Sequence, residues 1–155
     1  MPVRNIPVDV TDMVYSLVRG YHGSDAGSDL RRWYKKMLST ACRHIEYFIT
    51  PRVSIKAYQT ALKFGIQDLT VIPWRPPSAW PLGSELIFEH AYPASDIVNK
   101  ILSFQNPVLS DIEFELYKAE IVWIHRHENL KLKKNNRLSW QIEYAKAGID
   151  LIAES

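Results

Sequence analysis

The sequence predicts an α+β fold, mostly helical. A helical N-terminal layer is followed by a small ββα-type element with helical insertions. Three observations predict it. Apolar residues recur at spacings of three and four over most of the chain, the period of helices that face a core. Only two short segments, Glu85-Leu86-Ile87-Phe88 and Ile121-Val122-Trp123-Ile124, read as strands. Both lie in the second half, beyond a Pro- and Trp-rich crossing.

The elements follow in order. Residues 9–20 form an amphipathic helix with Val10, Met13, Val14, Leu17 and Val18 on one face. Gly20 to Gly27 is loop chemistry and breaks it. Ser28 or Asp29 caps a long helix that runs to about Phe48. Its apolar face is Leu30, Trp33, Tyr34, Met37, Leu38, Ala41, Ile45 and Phe48. Thr50-Pro51 reads as an N-cap with proline at the first helical position, opening a third helix that Gly65 ends. Four prolines between Ile72 and Gly83 forbid regular helix there. Beyond the first strand, Ser95 or Asp96 opens a helix carrying Ile97, Val98, Ile101 and Leu102. Ser110-Asp111-Ile112-Glu113 fits a capping box for the next. The second strand leads into helix near 126–134, and Ser139 to Ala147 is the last helix, stopped by Gly148.

At 155 residues, 46% hydrophobic and 23% charged, the chain suits one domain with its own core, 1–155. An internal boundary at 66–84 would divide a helical part, 1–65, from a ββα part, 85–155. No apolar run approaches the roughly 20 residues of a bilayer span, and no hydrophobic leader follows Met1. The single Cys42 excludes an intramolecular disulfide and a Cys-rich zinc site. A cytoplasmic protein of a bacterial or phage-infected cell is the expectation.

Charge is divided along the chain. Residues 1–84 carry 11 Lys/Arg against 6 Asp/Glu, and residues 85–155 carry 8 against 11. A basic front half suits an anionic partner, and an acidic back half suits a divalent cation. Solvated helix faces would give the same tally. Two basic clusters are candidates for holding a phosphate backbone. Arg31, Arg32, Lys35, Lys36 and Arg43 are interleaved with Trp33 and Tyr34. Lys131, Lys133, Lys134 and Arg137 follow the second strand.

Two further segments carry candidate chemistry. Phe88-Glu89-His90-Ala91-Tyr92-Pro93 places an acid beside an imidazole at a strand end, with Pro93 breaking the strand. Glu120-Ile121-Val122-Trp123-Ile124-His125-Arg126-His127-Glu128-Asn129 runs from the second strand into a polar helix start. His125 and His127 share a spacing that would place two ligands on one strand face, but read as exposed polar residues. These segments resemble the His-Me finger nucleases, also called the HNH or ββα-metal group. In that family an acid precedes a histidine followed by an apolar pair and proline, as in Glu89 to Pro93. Phage-type members continue with a strand of the form Asn-Leu-Arg-Trp-Val-Thr-x-x-Glu-Asn, whose spacing Glu120 to Asn129 follows.

The resemblance covers about residues 85–140. It implies an endonuclease acting on DNA, with His90 as general base and one Mg²⁺ or Mn²⁺ ion held by Glu89 and Asn129. The family's middle Asn, which steadies the loop of the base, falls on Glu120. DNA is the implied partner, and two chains pairing their sites as a homodimer would suit such an enzyme. The chemistry is coherent. A neutral imidazole can take a proton from water near neutral pH, and a hard cation can stabilise charge on the leaving oxygen. The alternative, from another class, is a non-catalytic helical interaction protein, a phage or plasmid inhibitor or adaptor, or an inactive nuclease-like domain that binds nucleic acid. Five Trp, eight Tyr and five Phe would then supply a protein interface.

Overall fold

A computed structural model describes residues 4–72, 82–137 and 139–153. Residues 73–81, most of the Pro- and Trp-rich crossing, lie outside the described residues. The fold is α+β, with helices dominating the N-terminal half. In chain order come α1 (Val8–Gly23), α2 (Asp29–His44), a 3₁₀ turn (Ile45–Phe48), β1 (Arg52–Val53), α3 (Ile55–Lys63) and β2 (Leu86–His90). Then follow α4 (Ala94–Ser103), α5 (Leu109–Leu116), β3 (Ile121–His125), α6 (Arg126–Asn129) and α7 (Trp140–Ala147). No helix among the described residues is long and apolar enough to cross a membrane.

The sheet has three strands, ordered β1-β3-β2. β3 is central and all five of its residues are buried, which explains its continuous apolar run. β2 runs antiparallel to it, pairing Leu86 with His125 and His90 with Ile121. β1 runs parallel, pairing Arg52 with Val122 and Val53 with Trp123. β1 corrects the expectation of two strands and of a helix opening at Thr50-Pro51. Residues 52–53 are extended, and Ser54 is the true cap of α3. Its hydroxyl accepts from the Ala57 N–H at 3.0 Å and donates to Glu128 Oε2 at 2.7 Å, both inside the core. The sheet thus takes one strand from before the 66–84 crossing and two from after it.

Hydrophobic residues pack on both faces of the sheet. On one face Val14, Val18, Leu38, Cys42, Ile45, Ile101, Ile112 and Leu116 gather α1, α2, α4 and α5 around Ile121. Burial pushes the Cys42 thiol up to about 12, so it packs as a small apolar group. On the other face Val122, Ile124, Leu132, Tyr144 and Ile149 form a second cluster. Trp123 joins Val53, Ala57, Ala61 and Leu86 in a third and meets Phe88 edge-on at 4.8 Å.

Several boundaries differ from the sequence expectation, each for a local reason. α1 continues through Gly20 to Gly23. Gly20 is a packing notch: a Cβ there would overlap the Tyr34 ring of α2. Ser28 caps α2 as expected, accepting from the Arg31 N–H at 3.1 Å. The buried row of α2 is Leu38 and Cys42; Leu30 and Trp33, expected on the apolar face, are 54% and 50% exposed. α5 starts at Leu109, with the Asp111 carboxylate accepting from the Val108 N–H at 2.9 Å, so Ser110 is not the cap. α6 ends at Asn129, where helix to 134 was expected. Ser139 and Gly148 bound α7 as expected, with Gly148 at φ 67°.

Candidate functional site

β2 lies at the edge of the sheet, and its alternation sends neighbouring side chains to opposite faces. Ile87 packs into the cluster around Tyr144, while Phe88 packs among the N-terminal helices. Glu89 therefore faces α7, and His90 faces the 3₁₀ turn after α2. A cavity of about 410 Å³ opens along this strand. It reaches both faces, and its lining includes Glu89, His90 and Asn129 together with Arg43, Glu46 and Lys134. The fold thus brings three of the four residues of the family resemblance to one cavity.

Glu89 is fully engaged. Arg137 grips it with two nitrogens, Nη2 to Oε1 at 2.8 Å and Nη1 to Oε2 at 3.1 Å, and the Tyr144 hydroxyl donates to Oε2 at 3.2 Å. Arg137 Nη1 also donates to the carbonyls of His90 and Ala91, each at 3.0 Å. The Arg137 chain segment is itself held, since Asp96 accepts the backbone N–H groups of Asn136 and Arg137 at 3.1 Å each. Burial, and then the negative charge of Glu89, raise the Tyr144 hydroxyl above the ordinary tyrosine range. Arg137 is only 3% exposed, which corrects its assignment to a nucleic-acid surface.

His90 is placed differently. Its Nε2 lies 2.5 Å from Oε2 of Glu46, whose side chain is fully buried. Neither Glu46 oxygen receives an aligned hydrogen bond among the described residues. His90 Nε2 is the side-chain nitrogen in contact with this carboxylate. Arg43, one turn earlier, lines the same cavity. Fixing one ring nitrogen against a carboxylate leaves Nδ1 as the nitrogen for proton transfer, the arrangement of an oriented general base.

Glu120 does not join them. Its carboxylate is buried between Arg4, at 2.5 Å, and Arg52, at 3.0 Å. Arg4 Nε also donates to the Ala119 carbonyl at 3.0 Å. Glu120 thus ties the N-terminal segment and β1 to the start of β3, and it is absent from the cavity lining. This corrects its placement beside the base. His125 was expected to be exposed but is buried. Its Nδ1 accepts from the His127 N–H at 3.2 Å, and its ring stacks on His127 at 5.0 Å. Burial, then Lys56 and His127, lower its pKa below the usual histidine range.

The basic residues of α2 divide. Arg31 folds back over the Tyr21 ring at 4.4 Å and onto the Ser24 carbonyl at 3.4 Å. Arg32 bonds Asp29 and the Gly27 carbonyl, yet its side chain stays 70% exposed. Lys35, Lys36 and Arg43 are exposed. Lys131, Lys133 and Lys134 are exposed as well, and Lys134 lines the cavity.

A single ion shared by Glu89 and Asn129 does not fit this arrangement, because both Glu89 oxygens already accept from Arg137. No group of three His, Cys, Asp or Glu among the described residues could hold a metal. Searches of protein-family models, curated proteins and solved structures found no match to the chain.

Sequence reasoning passed over Glu46, and it left Arg4 and Arg52 without a role. Glu46 had a legible signal. It continues the buried row Leu38, Cys42 at the next interval of four, so a carboxylate stands where an apolar residue belongs. Arg4 and Arg52 had none, since their partner lies more than sixty residues away in the chain.

Proposed function

We propose that the chain is a nuclease that hydrolyses phosphodiester bonds in DNA, with His90 as general base. One observation carries this reading: Glu89, His90 and Asn129 line one cavity whose rim also holds Arg43 and Lys134. Glu46 positions the His90 ring, and His90 takes a proton from the attacking water. Arg43 and Lys134 bring positive charge to the phosphate and stabilise the charge that develops on its oxygens. The Asn129 amide is a neutral donor and acceptor at the same cavity. Glu89 and Arg137 hold the strand end that carries His90.

The test is cleavage of plasmid DNA by purified protein, with Mg²⁺ or Mn²⁺ against EDTA. His90→Ala should cut at least about a hundredfold more slowly, the usual contribution of a positioned base. Its circular dichroism should show the parent fold, with a lowered melting temperature because the buried Glu46 carboxylate loses its partner. Cleavage at the parent's rate by the mutant overturns the assignment of His90. The metal and EDTA arms measure whether a divalent ion takes part.

A second reading, a protein-interaction module, draws on α5. Val108, Leu109, Phe114 and Tyr117 are all exposed there, with Phe114 at 66%. Exposed apolar side chains of this kind suit a partner surface, although Lys118 lies over the Phe114 ring at 4.7 Å. Absence of cutting under every metal condition would favour it.

A further inference from the structure

The outward face of α2 runs toward the His90 cavity. Arg32, Trp33, Lys36, Thr40 and Arg43 recur on it at spacings of three and four, opposite the buried row Leu38, Cys42. Arg43, at the far end, lines the cavity itself. From Trp33 to Arg43 the helix rises about 15 Å, the reach of a few nucleotides. α2 carries five Lys/Arg against one acid, Asp29, so the ridge suits a polyanion.

Trp33 decides which polyanion. Its indole is 50% exposed among these cations, and Tyr34 braces it edge-on at 5.2 Å. A large aromatic face held open between cations has little to bind on a duplex exterior, where the bases are stacked inside. It has a ready partner in an unpaired base, whose face any aromatic ring can stack on. We infer that the α2 ridge is a track for single-stranded DNA that leads into the His90 cavity, with Trp33 as a base-stacking platform and Lys36 and Arg43 as phosphate contacts. This rests on the nuclease reading for the destination of the strand, but binding on the ridge is tested without cleavage.

The experiment is fluorescence anisotropy of a short labelled single strand, and of the same sequence as a duplex, in EDTA at several salt concentrations. The parent should bind the single strand about tenfold more tightly. Trp33→Ala should lose about tenfold on the single strand, within the range of one stacked base, and change duplex binding little. The double variant Lys36→Gln/Arg43→Gln should lower the slope of log affinity against log salt by roughly 1.4, about 0.7 for each lost contact. Circular dichroism should show both variants folded, since the changed side chains are on the solvent face. Equal or tighter binding of the duplex, an unaffected Trp33→Ala, or binding of neither nucleic acid would each overturn the track. Binding kept in His90→Ala supports it. Single-strand binding by a parent that cuts under no metal condition keeps the track and overturns the nuclease reading instead.

Discussion

Glu89 and His90 are neighbours in the chain and line one cavity, yet they face opposite environments. Glu89 accepts three hydrogen bonds from Arg137 and Tyr144, and Arg137 extends the network to three backbone carbonyls, of His90, Ala91 and Lys133. His90 meets a buried carboxylate whose oxygens lack aligned donors. A side chain whose partners are all supplied by the fold contributes to holding the fold. A buried polar pair left partly unsatisfied beside open space has interactions still to make with something else. The contrast places stability on the Glu89 side of β2 and, on the nuclease reading proposed above, chemistry on the His90 side.

The largest effect should come from breaking the Glu89 side. Arg137→Met leaves a nearly buried carboxylate and three carbonyls without their donor. It should cost about 3–5 kcal/mol in denaturant unfolding, as removal of one partner of a buried pair does. If this variant is as stable as the parent while Glu89→Gln abolishes metal-dependent cutting, Glu89 is a ligand and the comparison is inverted. Ser54→Ala comes next, at about 1–3 kcal/mol, because it removes the cap of α3 and a donor to buried Glu128 in one step.

A smaller effect should appear with pH. The folded pKa of His125 lies below its unfolded value, so the unfolded chain binds the extra proton first. Its contribution is complete above about pH 6.5 and is lost as pH falls below that toward the folded value. His125→Asn should flatten this part of the stability curve, read from melting temperature across pH 5 to 8; an unchanged curve would mean that other groups dominate it. The smallest effect on stability is expected at the His90 side. Glu46→Leu exchanges a poorly satisfied buried carboxylate for apolar volume and should move unfolding by under about 1 kcal/mol. Cleavage should nevertheless fall at least about tenfold, and Glu46→Gln should shift its pH profile. A large loss of stability in Glu46→Leu would mean that Glu46 belongs with Glu89 as a structural group.

What could be read from the sequence was local. The Ser28 and Ser139 caps, the Gly65 and Gly148 stops and the apolar run of β3 all depend on residues within four or five positions. The cavity residues Glu89, His90 and Asn129 were legible as a pattern of residue types. Their states were not, because each state is set by a distant group.

The sequence by itself determined an α+β chain with helices in the N-terminal half, a strand at 121–124 and the helix caps and stops at Ser28, Gly65, Ser139 and Gly148, because helical periodicity and capping act over single turns. Only the tertiary structure decided that residues 52–53 are a strand, that Gly20 is a notch and that Arg137 belongs to Glu89, 48 residues away. It also decided that Glu46 faces His90. Two extended residues gain a ladder only when β3 lies beside them, and a buried charge is stable only where its counter-charge is delivered. Both conditions depend on chain segments that meet only once the core has formed.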